Sequence, residues 1–299
     1  MMRFKPITID DKDVITAYTR SGNFLNCDFA FSNMCSWRFL YNTEFAVQDD
    51  FLFVRFWLKE NGQQVYLFPV GTGDLQCAIE NMEKDASDSN HPLCIFGVTP
   101  DGKNILNNLF PDVFTFTPVR SYFDYIYLRK DLHTLKGKKF QAKRNHINKF
   151  KKSYAYSYLP ITTEMIPECL KLEQLWIQAN HTEKDKEMLA AENRSMVFAL
   201  NHFKELDLTG GAIMVENEIV AFTYGSPINH YTFGMHVEKA DIRFDGIFSV
   251  INQEFAARLP EQYLYINREE DMGLPGLRQS KLSYQPIIVL EKNIAQIRD

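Results

Sequence analysis

Residues 51–59 and 63–70 are dense in Phe, Val, Leu and Tyr, the composition of buried strands. Asn61-Gly62 between them suits a two-residue hairpin whose central positions both need positive φ. After Gly71-Thr72-Gly73 the spacing of Leu75, Ile79 and Met82 predicts a helix over 74–85. A strand over 93–98, a short helix over 102–110 and strands near 113–117 and 122–128 follow. From residue 154 the pattern sharpens. A strand over 154–159 leads to a helix capped by Thr163 and running to 178, with Ile166, Leu170 and Leu175 among its apolar positions. A second helix covers 186–204. Strands at 211–216 and 219–224 form a hairpin about Asn217-Glu218, and a third strand spans 230–237. A helix over 244–258 is stopped by Pro260, and strands are expected at 263–267 and 283–290.

The order in the second half, β-α-α-β-β-β-α-β-β, is the plan of the GNAT acyltransfer fold. The first half reads as α+β with antiparallel hairpins, and the two hairpins mark equivalent elements of related halves. The expectation is therefore an α+β protein of two tandem GNAT-like domains with mixed, largely antiparallel sheets. An N-terminal domain would cover 1–130, a bridging helix 131–153 and a C-terminal domain 154–299.

Composition narrows the class. A hydrophobic share of 45% with 24% charged residues is that of a folded globular chain. No run approaches the roughly 20 apolar residues that span a bilayer, and the best, 51–58, is interrupted by Arg55. The first ten residues lack the apolar core of a signal peptide. Five cysteines, an odd number without C-x-x-C spacing, argue against a disulfide framework or a zinc site. A cytoplasmic protein with reduced thiols and no bound metal or cofactor is expected. The net charge of −5 excludes a general attraction to nucleic acid. One segment departs from that average. Lys136, Lys138, Lys139, Lys143, Arg144, Lys149, Lys151 and Lys152 carry positive charge with no acid among them, while Phe140, Ile147 and Phe150 share a helical face. Such a helix neutralises the acidic remainder of the molecule, binds phosphate-rich partners such as tRNA, or docks on lipid headgroups.

Two constellations can carry chemistry. At the junction 238–248 a strand runs into a helix whose N-terminal amides could hold phosphate. Arg243 and Gly246 stand where a pyrophosphate loop needs them, but Phe248 replaces the second glycine, and Asp245 is equally a helix cap. The second is the loop 267–286. Glu269, Glu270 and Asp271 could hold a cationic amino group, and one of them could act as general base. Arg278 and Lys281 could hold phosphate or a developing oxyanion, and Tyr284 could protonate a leaving group. A solvated loop of surface ion pairs is the plain alternative. His181, His230 and His236 have no ligand-like spacing, and His236 reads as a structural strand residue.

The run YINREEDMGLPGLRQSKLSYQP, with HVEKADIRFDGIFSVINQEFAARL and GKKFQAKRNHINKF, resembles the C-terminal catalytic-domain family of phosphatidylglycerol lysyltransferases. The resemblance implies a tandem GNAT-like fold and transfer of an aminoacyl group from tRNA. It places Glu238, Asn267, Arg268, Glu269, Asp271, Arg278 and Lys281 in or beside a transfer tunnel. The basic helix, with Lys143 and Arg144, would face tRNA or lipid phosphate. Unlike the lipid-modifying members, this sequence has no transmembrane flippase segment. The donor expected is aminoacyl-tRNA ahead of acyl-CoA, and the acceptor an amine or hydroxyl. A catalytically silent GNAT-like module binding a small anionic or amino-acid-like ligand is the rival, along with a CoA-dependent N-acyltransferase. Consumption of donor separates the silent module from the enzymes.

Overall fold

A computed structural model of the chain describes residues 2–59, 61–180 and 186–298. From the N-terminus run β1 (Lys5–Pro6), α1 (Lys12–Thr19), α2 (Phe31–Ser36), α3 (Arg38–Tyr41), β2 (Glu44–Gln48), β3 (Phe51–Trp57), β4 (Gln64–Leu67) and β5 (Val70–Gly71). Next come α4 (Leu75–Asp88), β6 (Cys94–Val98), α5 (Pro100–Leu109), β7 (Phe114–Pro118), β8 (Asp124–Leu128), α6 (Arg129–Thr134) and α7 (Gln141–Ser153). The second half holds β9 (Tyr156–Pro160), α8 (Ile166–Asn180), α9 (Lys186–Asn201), β10 (Thr209–Val215), β11 (Glu218–Pro227) and β12 (Thr232–Ala240). It ends with α10 (Ile247–Arg258), β13 (Tyr265–Asn267), α11 (Pro275–Leu282), β14 (Ile288–Leu290) and β15 (Asn293–Ile297).

Local chemistry starts these elements where the residues demand. Asp74 caps α4 by accepting from the Cys77 amide at 3.2 Å, and Thr99 caps α5 ahead of Pro100. The β10–β11 hairpin turns on Glu216 and Asn217, both left-handed at φ 49° and 66°, one residue earlier than the sequence suggested. The expected two-residue turn at Asn61-Gly62 is instead a longer loop, closed between Leu58 and Gln63 with Gly62 left-handed. The strand expected over 283–290 is mostly absent. α11 runs up to Leu282 and the chain then turns, with Gln285 left-handed at φ 55°, so only Ile288–Leu290 joins the sheet.

Strands pair in the order β1-β2-β3-β4-β6-β15-β7, with β5 on β3, and β14-β8-β13-β12-β11-β10-β9. Each sheet contains one parallel pair, β4–β6 and β12–β13, joined through α4 and α10, and the other described pairs are antiparallel. This is a tandem GNAT-like fold with mixed, largely antiparallel sheets. The strand beside each parallel pair, however, comes from the other half of the chain. β8 lies between β13 and β14, and β15 lies between β6 and β7. A division at 130 and 154 therefore does not follow the sheets. α6 and α7 both pack on α10, so the basic segment belongs to the second unit rather than bridging two. Phe140, Ile147 and Phe150 are buried there with Val250 and Ile251, as their spacing predicts. Beside that cluster, another apolar cluster continues across both halves, from Phe53 and Ile95 to Leu200, Phe222 and Tyr224.

Where the two exchanged strands cross, Lys292 is 1% exposed and meets Asp28 at 2.9 Å, Asp124 at 2.9 Å and Glu270 at 2.7 Å. Removing one partner of such a buried cluster costs about 3–5 kcal/mol, because the remaining charges lie far from water. The crossover is thus held by electrostatics as well as by ladder hydrogen bonds. No described helix is long and apolar enough to cross a membrane.

Candidate functional site

β12 and β13 pair only through Thr232–Tyr265, Phe233–Ile266 and Gly234–Asn267, and beyond them the two strands part. At that point the β11–β12 ladder passes from Tyr224–Val237 to Gly225–Met235, leaving His236 as the extra residue of a bulge. The bulge reverses the side-chain alternation and aims His236 and Glu238 at different neighbours. Gly234 makes the space: a Cβ there would stand 2.9 Å from His236 Cε1.

On the α10 side of the gap, Arg268 is 9% exposed and donates through Nη2 to Glu238 Oε1 at 3.0 Å. Asn252 of α10 donates to the other oxygen, Glu238 Oε2, at 3.1 Å. Arg268 Nη1 and Asn252 Oδ1 are buried with no hydrogen-bond partner among the described residues. The guanidinium lies 4.7 Å from the Tyr284 ring centroid, and Lys143 Nζ from α7 stands 3.8 Å from the same centroid. Burial, reinforced by the charge of Arg268, brings the Lys143 ammonium down to about 8. Burial pushes the Tyr284 phenol up to about 12, so it stays protonated, with Ser249 Oγ 3.4 Å away. Beside them a shallow depression of about 250 Å³ opens at the start of α10, lined by Lys143, His146, Phe244, Gly246, Phe248 and Ser249. Gly246, not Asp245, is the N-cap. Its φ is 87°, and a Cβ would lie 2.5 Å from the His146 carbonyl. Asp245 is drawn away to Lys149 at 2.6 Å.

On the opposite side, Glu269 adopts a left-handed φ of 58°. Its Oε1 accepts from Asn33 Nδ2 and meets His236 Nδ1, both at 2.7 Å. His236 Nε2 lies 2.9 Å from Ser32 Oγ and 2.8 Å from Ser226 Oγ, and the two hydroxyls are 2.6 Å apart.

The remaining expected site residues have other occupations. Asp271 is fully buried and takes hydrogen bonds from Arg278 at 2.7 and 3.0 Å, Arg120 at 2.9 Å, Tyr125 at 2.6 Å and the Gly273 amide at 2.9 Å. Burial alone would raise its pKa, but these donors hold it well below the usual carboxylate range. A carboxylate so fully engaged is a clamp on the loop, not a base, and Arg278 is the other half of it. Asn267 donates to the Leu25 carbonyl and to Asp124, both at 2.7 Å, and ties the strand end to the first half. Lys281 is buried, donates to the Arg268 and Glu270 carbonyls, and is brought down to about 8 by burial and by Arg268. Arg144 caps the turn after α6 through the Leu135 and Gly137 carbonyls. Arg243 is an exposed partner of Asp241, with Nη2 at 2.5 Å. Of the expected residues, Glu238, Arg268, Lys143 and Tyr284 meet on one side of the gap, Gly246 lines the adjoining depression with Lys143, and Glu269 stands on the other side.

Sequence reasoning missed Asn252, Ser32, Asn33 and the role of His236, since each reaches the site only through packing between distant elements. The glycine two residues before His236 was the available signal. His181 lies outside the described residues. Cys27, Asp124 and Glu270 bring three metal-capable atoms within 4.8 Å of one another, but the Lys292 ammonium already pairs with both carboxylates.

The family model described as phosphatidylglycerol lysyltransferase, C-terminal, matches residues 20–295. The crystal structure of a conserved protein of unknown function from Bacteroides thetaiotaomicron is 52% identical, with a TM-score of 0.96 over 100% of both chains. The structure of L-PGS from Bacillus licheniformis superposes with a TM-score of 0.67 at 14% identity, covering 98% of this chain and 92% of that one. An uncharacterized protein from Mycoplasmoides gallisepticum is 22% identical over 175 residues, which span 58% of this chain and 56% of the relative's length.

Proposed function

The chain belongs to the phosphatidylglycerol lysyltransferase C-terminal family, whose fold and membership are of acyltransferase type, and from that premise we propose that it transfers an aminoacyl group from aminoacyl-tRNA to an amine or hydroxyl acceptor. The observation that carries this reading is the buried Nη1 of Arg268, without a hydrogen-bond partner among the described residues, at the gap between β12 and β13. A desolvated guanidinium N–H without an acceptor is costly unless something anionic completes it. An acyl ester supplies that group, as the oxyanion that develops on its carbonyl oxygen. A preorganised donor in a dry site stabilises that charge without reorganisation. Glu238, held from both ends by Arg268 and Asn252, keeps the guanidinium oriented. Lys143 adds positive charge for the donor's phosphates from the adjoining depression.

Aminoacyl-tRNA is favoured over acyl-CoA by what stands at the start of α10. Phe248 lines the depression at the helix start, where a pyrophosphate would need close approach to bare amides. The test is incubation with tRNA charged with a labelled amino acid and, separately, with acetyl-CoA, each with mixed amine and hydroxyl acceptors. Loss of label from tRNA is expected, falling roughly 100-fold in Arg268→Gln, with acetyl-CoA untouched. Consumption of neither donor, or of acetyl-CoA alone, refutes the reading.

A further inference from the structure

We propose that Glu269 is the proton acceptor of the transfer step and that His236 is its positioning residue, with the arrangement completed across the molecule by Ser32 and Asn33 of α2. The inference rests on the transfer reading above and assigns the proton chemistry that reading leaves open.

The carboxylates near the gap are separated by their partners. Both oxygens of Glu238 are engaged, by Arg268 and Asn252. Asp271 accepts from Arg278, Arg120, Tyr125 and the Gly273 amide. The neighbouring Glu270 is ion-paired to the buried Lys292 at 2.7 Å, which leaves Glu269 with an uncommitted oxygen and no lysine or arginine partner among the described residues. Oε1 receives Asn33 and His236, whereas Oε2 accepts no hydrogen bond among the described residues, and the side chain is 20% exposed. A base needs both properties, one oxygen fixed to set direction and one open to the nucleophile.

Several independent devices converge on this placement. The bulge turns His236 toward Glu269, Gly234 clears room for the ring, and Glu269 holds a backbone conformation that non-glycine residues adopt at a cost. Because a carboxylate only accepts, His236 Nδ1 must carry the hydrogen of that bond, and Nε2 is left to pair with a serine hydroxyl. Ser32 and Ser226 supply it, and they bond to each other, so the ring is held from both ends. Ser226 belongs to β11, while Ser32 and Asn33 arrive from a helix almost 200 residues earlier in the chain. The base is therefore placed only when α2 is docked on the second sheet. Ser32 and Ser226 are 2% and 3% exposed, so they brace the ring rather than meet substrate.

In the step itself, the acceptor's nitrogen or oxygen forms a bond to the acyl carbon and its proton passes to Glu269 Oε2. The ester bond to the tRNA ribose breaks, and the departing oxygen takes that proton from Glu269. The carboxylate is regenerated with no further reactant.

Two measurements test this. In protein labelled with nitrogen-15 at histidine, His236 is expected to show a protonated Nδ1 whose hydrogen-bonded resonance is lost in Glu269→Gln, and an Nε2 signal that moves in Ser32→Ala. An unprotonated Nδ1, or no response to either change, overturns the assignment. In the turnover assay, Glu269→Gln should lower kcat about 100-fold or more with donor KM unchanged. His236→Phe should lose most of that rate, and His236→Asn, whose amide can replace the Nδ1 donor, should recover it. Turnover that survives Glu269→Gln overturns this inference and leaves the transfer reading standing. A wild-type protein that consumes no aminoacyl-tRNA overturns both.

Discussion

Lys143 and Asp271 hold their charges under opposite conditions, and the difference separates site from scaffold. Asp271 has five donors around it, so its charge is spent on structure. Lys143 is half-buried against an aromatic ring and a like-charged neighbour, and its ammonium is brought down to about 8. The charged form is favoured below that value and lost as pH rises through it. Attraction for an anionic donor should follow the same sense. The dissociation constant for aminoacyl-tRNA, titrated at fixed ionic strength, is expected to rise several-fold between pH 7 and pH 9. Lys143→Arg should abolish that rise, because a guanidinium stays charged throughout. An unchanged pH dependence in the variant would show that another group governs donor binding.

Among the elements, β8 and β15 decide how the chain can be divided. β8 pairs with both β13 and β14, and β15 with both β6 and β7. A fragment of residues 154–299 would leave the short strands Tyr265–Asn267 and Ile288–Leu290 without the strand between them, and would strand Glu270 and Lys292 without Asp124. It is expected to lack a cooperative unfolding transition by circular dichroism. Mixing it with residues 1–153 should restore one. A fragment that melts cooperatively alone would mean that the second sheet closes without β8. The same exchange places Asn267, Arg268 and Glu269 against Tyr125 and Asn33, so the candidate site depends on it directly.

At the scale of the whole molecule, the basic segment is less free than its sequence implies. Lys139 pairs with Asp131, Lys149 with Asp245, Lys151 with Glu254, and Arg144 caps a turn. Lys143 enters the candidate site. Lys136, Lys138 and Lys152 remain without an ion-pair partner among the described residues, and they are the cations available to a phosphate-rich partner. Changing these three to Glu is expected to weaken tRNA binding and to flatten its salt dependence by about one unit of slope per lost contact. Melting temperature should move little, since exposed charges contribute little to stability. Filter binding at several salt concentrations gives both the affinity and the slope. An affinity unaffected by the triple change would leave the helix as neutralisation of the protein's own acids.

Hydrophobic periodicity alone determined most helices and strands, the GNAT-like order of the second half, and the burial of Phe140, Ile147 and Phe150, because those follow from which side chains must leave water along one local stretch. The loop 267–286 stood out in the sequence for its crowd of acids and bases around a Gly-Pro-Gly turn, whereas Glu238 and Arg268 were pointed to only by the family resemblance. Three decisions belonged to tertiary structure. The exchange of β8 and β15 is a choice between equally good partners for a strand, made by packing and by the buried charge of Lys292. The roles of Asp271, Arg278 and Lys281 were set by neighbours such as Arg120 and Tyr125, which no spacing announces. The pairing of His236 with Ser32 joins residues that share no local pattern, and only the docking of α2 on the second sheet brings them within hydrogen-bond reach.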